Sequence, residues 1–162
     1  MMAHYQILAQ RIQMEIEELE RTYLAVLRHW KAAYSAGSDQ DAYLNSVALN
    51  LHSLYSGWER IFELIAIEID GGALGGEAWH AELVKQMTLD LPGTRPPVIR
   101  KDTAAQLDEY RKFRHRIRNI YATGLDPVRM QPLVEALSTA WFDLRDQLTA
   151  FCQLLNDLAA SE

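Results

Sequence analysis

Large apolar residues recur at steps of three and four along most of this chain, a period that only a helix gathers onto one side. From about Ala3 to Tyr34 the residues Ile7, Leu8, Ile12, Ile16, Leu19, Tyr23, Val26 and Trp30 keep to it. Ala36, Gly37, Ser38 and Asp39 then carry turn chemistry, with Ser38 or Asp39 placed to cap a second helix over Gln40 to Ile69. That helix buries Leu44, Val47, Leu51, Trp58, Phe62 and Ile65, and Asp70, Gly71 and Gly72 end it. A shorter third helix is expected from near Gly76, carrying Trp79, Leu83 and Met87. The stretch Leu91-Pro92-Gly93-Thr94-Arg95-Pro96-Pro97 cannot continue a helix and reads as a linker. A fourth helix spans about Lys101 to Ala122, with Gly124 as its C-terminal cap, and a fifth starts after Pro127 and ends near Ala159. No alternating run reads as a strand. The expected fold is all-α: one domain over residues 1–162, an antiparallel bundle of about five helices.

A length of 162 residues with 49% hydrophobic content suffices for a core without staples. Cys152, the single cysteine, lies among Ala150, Phe151, Leu154 and Leu155 and reads as a buried structural thiol. No run approaches the ~20 apolar residues that span a bilayer, and the N-terminus lacks a signal peptide's design, so a cytoplasmic protein with no membrane association is expected. His4, His29 and His52 have no partner at metal-ligand spacing, and Gly71, Gly72, Gly75 and Gly76 lack the Lys-Ser/Thr of a phosphate loop. Neither a metal nor a cofactor is expected.

The formal net charge of -6 argues against a general nucleic-acid coat. Yet five of the sixteen Lys and Arg residues, Arg111, Lys112, Arg114, Arg116 and Arg118, fall within eight positions, with His115 among them. On a helix, Arg111, Arg114, Arg118 and Tyr121 form one row and His115 and Asn119 the adjoining row, with the apolar stripe on the other side. Guanidinium groups, an imidazole, an amide and a phenol in that array can hold a phosphodiester and stabilise charge developing on it. The competing reading is a solvated face, favoured by the helix dipole and paired with Asp108 and Glu109. Glu59 and Arg60 read as either charge partners for these arginines or a surface ion pair, with the surface pair the commoner fate. His80, beside Trp79, reads as a structural anchor of the third helix.

The run Tyr110-Arg111-Lys112-Phe113-Arg114-His115-Arg116-Ile117-Arg118-Asn119-Ile120-Tyr121, followed by Gly124-Leu125-Asp126-Pro127, resembles the signature helix of HepT-like proteins in the HEPN superfamily. Tyr55-Ser56-Gly57-Trp58-Glu59-Arg60-Ile61-Phe62 is similar to that family's second core helix, and Trp79-His80 with Arg95-Pro96-Pro97-Val98-Ile99 to its middle section. The family motif is arginine, four residues, histidine, one residue, tyrosine. Arg114 and Tyr121 take the outer positions, and Asn119 stands where histidine is expected. The resemblance implies a homodimer whose paired motifs line a cleft, and RNA cleavage without a metal by attack of a ribose 2′-hydroxyl. It implies a toxin held in check by an MNT-type nucleotidyltransferase antitoxin that attaches AMP to Tyr121. Phosphate binding would fall to Arg111, Arg114, Arg116 and Arg118. Catalysis would fall to Arg114, His115, Arg118 and Asn119. An amide does not titrate near neutral pH, so Asn119 can orient substrate but not move a proton; His115, one turn earlier, offers an imidazole. The alternative is a non-catalytic helical module that binds RNA, a nucleotide or a partner protein through a degenerate motif.

Overall fold

The computed structural model describes residues 2–72, 74–117 and 124–161. Five α-helices lie within them: α1 (Met2–Ser35), α2 (Gln40–Glu68), α3 (Trp79–Gln86), α4 (Lys101–Ile117) and α5 (Pro127–Ser161). Side-chain partners fix their directions. Arg60 reaches Glu15 and Gln40 reaches the Ala33 carbonyl, so α2 runs antiparallel to α1. Cys152 faces Ala9 and Tyr23 bonds Ser138, so α5 also opposes α1. Gln147 bonds Thr103 and the Tyr110 hydroxyl donates to the Leu133 carbonyl at 2.7 Å, so α4 opposes α5. The four long helices therefore alternate in direction, and short α3 crosses between α2 and α4 as an addition.

The three- and four-residue stripes named above meet in one continuous core. Trp58 of α2 sits at its centre, stacked on Trp141 with ring centroids 6.4 Å apart and edge-on to Tyr110 at 5.4 Å. The α1–α2 contact is close because position 57 is glycine: a Cβ there would overlap Leu19 Cδ2. Leu19 is itself buried, so it has little room to yield. Gly57→Ala is therefore expected to lose about 1–3 kcal/mol despite alanine's better helix propensity. Urea denaturation checks this, and an unchanged or higher midpoint would show that Leu19 repacks freely.

The connections differ from the sequence expectation in three places. Asp39 makes no side-chain cap to α2; a single 3₁₀ turn, Gly37–Asp39, enters the helix instead, with Gly37 at φ 55°. α3 begins at Trp79 and not near Gly76, because Gly76 holds φ 97°, outside helical space. The start of α5 agrees with expectation: Pro127 takes the first helical position, where its missing N–H costs nothing, and the Asp126 carboxylate caps the helix by accepting from the Val128 amide at 3.0 Å.

The third difference is the Leu91–Pro97 stretch, which is a fastened turn and not a loose linker. Leu91 and Arg95 pair their backbones across Gly93, and the Val98 and Ile99 amides both donate to the Met87 carbonyl. Arg95 is the latch. Its Nε and Nη2 each meet a carboxylate oxygen of Asp70 at 2.6 Å, while Nη1 and Nη2 also donate to the carbonyls of Leu89, Pro96 and Gln86. All five guanidinium donors are thereby used inside the protein.

Candidate functional site

The motif arginine, Arg114, is buried. It lies seven residues after Leu107 and four after Tyr110, on the border of the α4 apolar stripe, and its side chain is 7% exposed. The sequence reading that put it on an open row opposite the stripe is corrected by this position. Glu59 of α2 meets it for the same reason: four residues after Tyr55 and three before Phe62, it falls within the α2 stripe and is buried. Two charges cannot enter a core unpaired, and these do not. Arg114 Nη1 donates to Glu59 Oε1 at 2.7 Å and to Ser56 Oγ at 3.2 Å, and its guanidinium lies 4.6 Å above the Tyr55 ring.

His80 completes the cluster from α3. Its Nδ1 is 2.7 Å from Glu59 Oε2 and 3.0 Å from Arg114 Nη2, and its ring packs against Trp79 with centroids 3.7 Å apart. The carboxylate of Glu59 thus holds a guanidinium with one oxygen and an imidazole with the other. The Tyr55 hydroxyl is buried beside them without a hydrogen-bond partner among the described residues. Burial first, and the Glu59 charge second, push its pKa far above the ordinary phenol value, so it stays protonated. Glu59 is therefore a partner of the motif arginine and not a surface ion pair, and His80 bonds Glu59 as well as packing on Trp79; Arg60 takes the surface fate, 3.5 Å from Glu15.

Two further cations of the run, Arg111 and Lys112, are answered within α4. Arg111 Nε donates to Asp108 Oδ1 at 2.6 Å, and Lys112 lies 3.4 Å from Asp108 and 3.3 Å from Glu109. Burial opposes ionisation of Asp108, but Arg111 and Lys112 together outweigh it and hold its carboxyl below the ordinary value. His115 and Arg116 are exposed, and Arg116 lines a cavity of about 550 Å³ with Phe113, Ile117, Arg129 and Met130. Arg118, Asn119 and Tyr121 lie outside the described residues. So the structure brings Arg114 together with Glu59, Ser56, Tyr55 and His80, and places Arg116 on a different side of α4.

Away from this cluster, Cys152 is buried, and burial pushes its thiol up to about 11, which leaves it protonated and a poor nucleophile. His29 bonds Ser46 and His4 lies 3.5 Å from Glu68, both as structural contacts. Among the described residues no three His, Cys, Asp or Glu side chains gather to hold a metal, and no helix is long and apolar enough to cross a membrane.

Sequence reasoning ranked Glu59 as a charge partner for the arginines below a surface ion pair, and missed His80 as a member of the site, because the two come from other helices. The available signal was positional: a glutamate inside the period of an apolar stripe is either misplaced or paired. The model of the HepT-like protein family matches residues 46–155, from within α2 to near the end of α5. No curated protein and no solved structure matches the chain. The matched span takes in well over half of the sequence and every residue of the Glu59–His80–Arg114 cluster, and on that basis the chain belongs to the HepT-like family.

Proposed function

We propose that this protein is the toxin component of a toxin–antitoxin module and acts on RNA, as a metal-independent endoribonuclease built from two copies whose α4 helices face each other. Arg118 and Arg111 meet the scissile phosphate, the buried Arg114 lends its charge from beneath, Arg116 offers a further cation on another side of α4, Asn119 orients substrate by hydrogen bonds, and an imidazole moves the proton. On the sequence alone that imidazole is His115. The observation that carries this reading is the buried Arg114, held by Glu59 and Ser56 over the Tyr55 ring. An apolar side chain would fill that volume without the desolvation of two ions, so the pair contributes little to stability that packing could not supply. A preorganised guanidinium is what charge development on a phosphate requires.

An MNT-type nucleotidyltransferase is the proposed antitoxin, with Tyr121 as the site of AMP attachment; the added phosphate would oppose RNA on the same basic edge. The test is cleavage of total RNA in EDTA by the wild-type protein, Arg114→Lys and Asn119→His, each checked for folding by circular dichroism. Wild type should cut, and Arg114→Lys should lose about 100-fold or more in kcat, because lysine cannot reproduce the fixed fork. Asn119→His should cut at least as well as wild type. If folded wild type leaves RNA intact and Asn119→His alone cuts, the chain is a binding module with a degenerate motif.

A further inference from the structure

The cluster around Arg114 holds an imidazole from outside the signature helix, placed as a proton-transfer group has to be. We infer that His80 is the catalytic base for RNA cleavage at the Arg114 site and that Glu59 is the residue positioning its ring; this rests on the ribonuclease reading above. Nδ1 of His80 faces Glu59 Oε2 at 2.7 Å and Arg114 Nη2 at 3.0 Å. Glu59 Oε2 is the nearer partner and can only accept, which favours a proton on Nδ1 that donates to it; Arg114 Nη2, which can only donate, then lies beside Nδ1 without bonding to it. The lone pair is then on Nε2, at the opposite edge of the ring.

Three features suit that edge to chemistry. The His80 side chain is 29% exposed, whereas its two partners, at 6% and 7%, are sealed, so the ring is the part of the cluster that substrate can reach. The Trp79 ring lies against it at 3.7 Å between centroids and limits its rotation. The sealed Arg114 guanidinium beside it adds a fixed positive charge that favours a phosphate against the exposed ring. A buried carboxylate that orients a neutral imidazole is the general arrangement by which a histidine is prepared to take a proton.

In the step, the Nε2 lone pair takes the ribose 2′-hydroxyl proton as O2′ forms a bond to phosphorus. The P–O5′ bond breaks and its electron pair leaves on the 5′-oxygen, which is protonated by water. The imidazolium returns its proton to the resulting hydroxide. The products are a 2′,3′-cyclic phosphate and a 5′-hydroxyl, and no metal or redox partner enters the balance.

The test uses the full chain with a short RNA substrate in EDTA, comparing wild type, His80→Ala, His80→Gln, His115→Ala and a surface control, His4→Ala. Both His80 variants should lose about 100-fold or more in kcat with KM changed by less than ~3-fold, and added free imidazole should restore cutting by His80→Ala. Imidazole rescue separates proton transfer from a merely structural ring, because a repacked site gains nothing from it. His4→Ala should match wild type. The inference is overturned if wild type cuts and folded His80→Gln cuts within ~3-fold of it, or if His80→Ala is inactive, folded and not rescued. Loss confined to His115→Ala with His80→Ala unaffected also overturns it, while the ribonuclease reading stands. No cutting by folded wild type defeats the ribonuclease reading, and the inference with it.

Discussion

Replacing Glu59 with alanine is expected to cost about 3–5 kcal/mol of folding stability, because it leaves the Arg114 guanidinium as an uncompensated buried charge. Typical domains have only about 5–15 kcal/mol to lose, so this one change should remove a large part of the total. The two side chains are 6% and 7% exposed and 2.7 Å apart, which excludes the solvent screening that makes surface pairs weak. Glu59→Gln should cost less, since its amide oxygen still accepts from Arg114. The double variant Glu59→Leu with Arg114→Met should recover much of the loss, because two apolar side chains need no counter-charge. Urea denaturation of the four proteins measures all of this. If Glu59→Ala stays within about 1 kcal/mol of wild type, water reaches Arg114 and the pair is not buried in the sense argued above.

Asp70→Ala should have an effect of similar size, about 3–5 kcal/mol, with a different local signature. Asp70 and Arg95 are 3% and 2% exposed and joined by two hydrogen bonds of 2.6 Å. Arg95 also gathers the carbonyls of Gln86, Leu89 and Pro96, so losing the carboxylate should loosen the turn that follows α3. Hydrogen exchange should rise at the amides of Arg95, Val98 and Ile99, whose acceptors are Leu91 and Met87. Asp70→Asn, which keeps one acceptor, should show a smaller rise. Unchanged protection in Asp70→Ala would mean that the backbone bonds alone hold the turn.

The fold was largely legible because periodicity and punctuation agree. Stripes such as Leu44, Val47, Leu51, Trp58 and Phe62 leave a helix no other face to bury, and Gly71 and Gly72 or Pro127 stop or start it where the period breaks. The ends were less legible. Asp39 has capping chemistry but no capping bond, since a 3₁₀ turn already delivers the chain to α2. The Leu91–Pro97 stretch carries every sign of a loop, yet it is pinned by an aspartate twenty-five residues earlier in the sequence, a contact that local composition does not encode.

The candidate site divides in the same way. By itself the sequence determined the helices, the concentration of positive charge at Arg111 to Arg118, and the departure of Asn119 from the family motif, because each is a property of residue order along one element. It also contained the clue that Arg114 follows Leu107 and Tyr110 on one stripe, which a count of charges overlooks. The pairing of Arg111 and Lys112 with Asp108 and Glu109 was legible as neighbouring turns of one helix, whereas only the tertiary structure decided that Arg114 is buried and answered by Glu59. It alone set His80 against the same carboxylate. The reason is physical: whether a charge on a helix meets water, an anion or an imidazole depends on which other helix packs there, and α2, α3 and α4 bring those groups together from positions 59, 80 and 114.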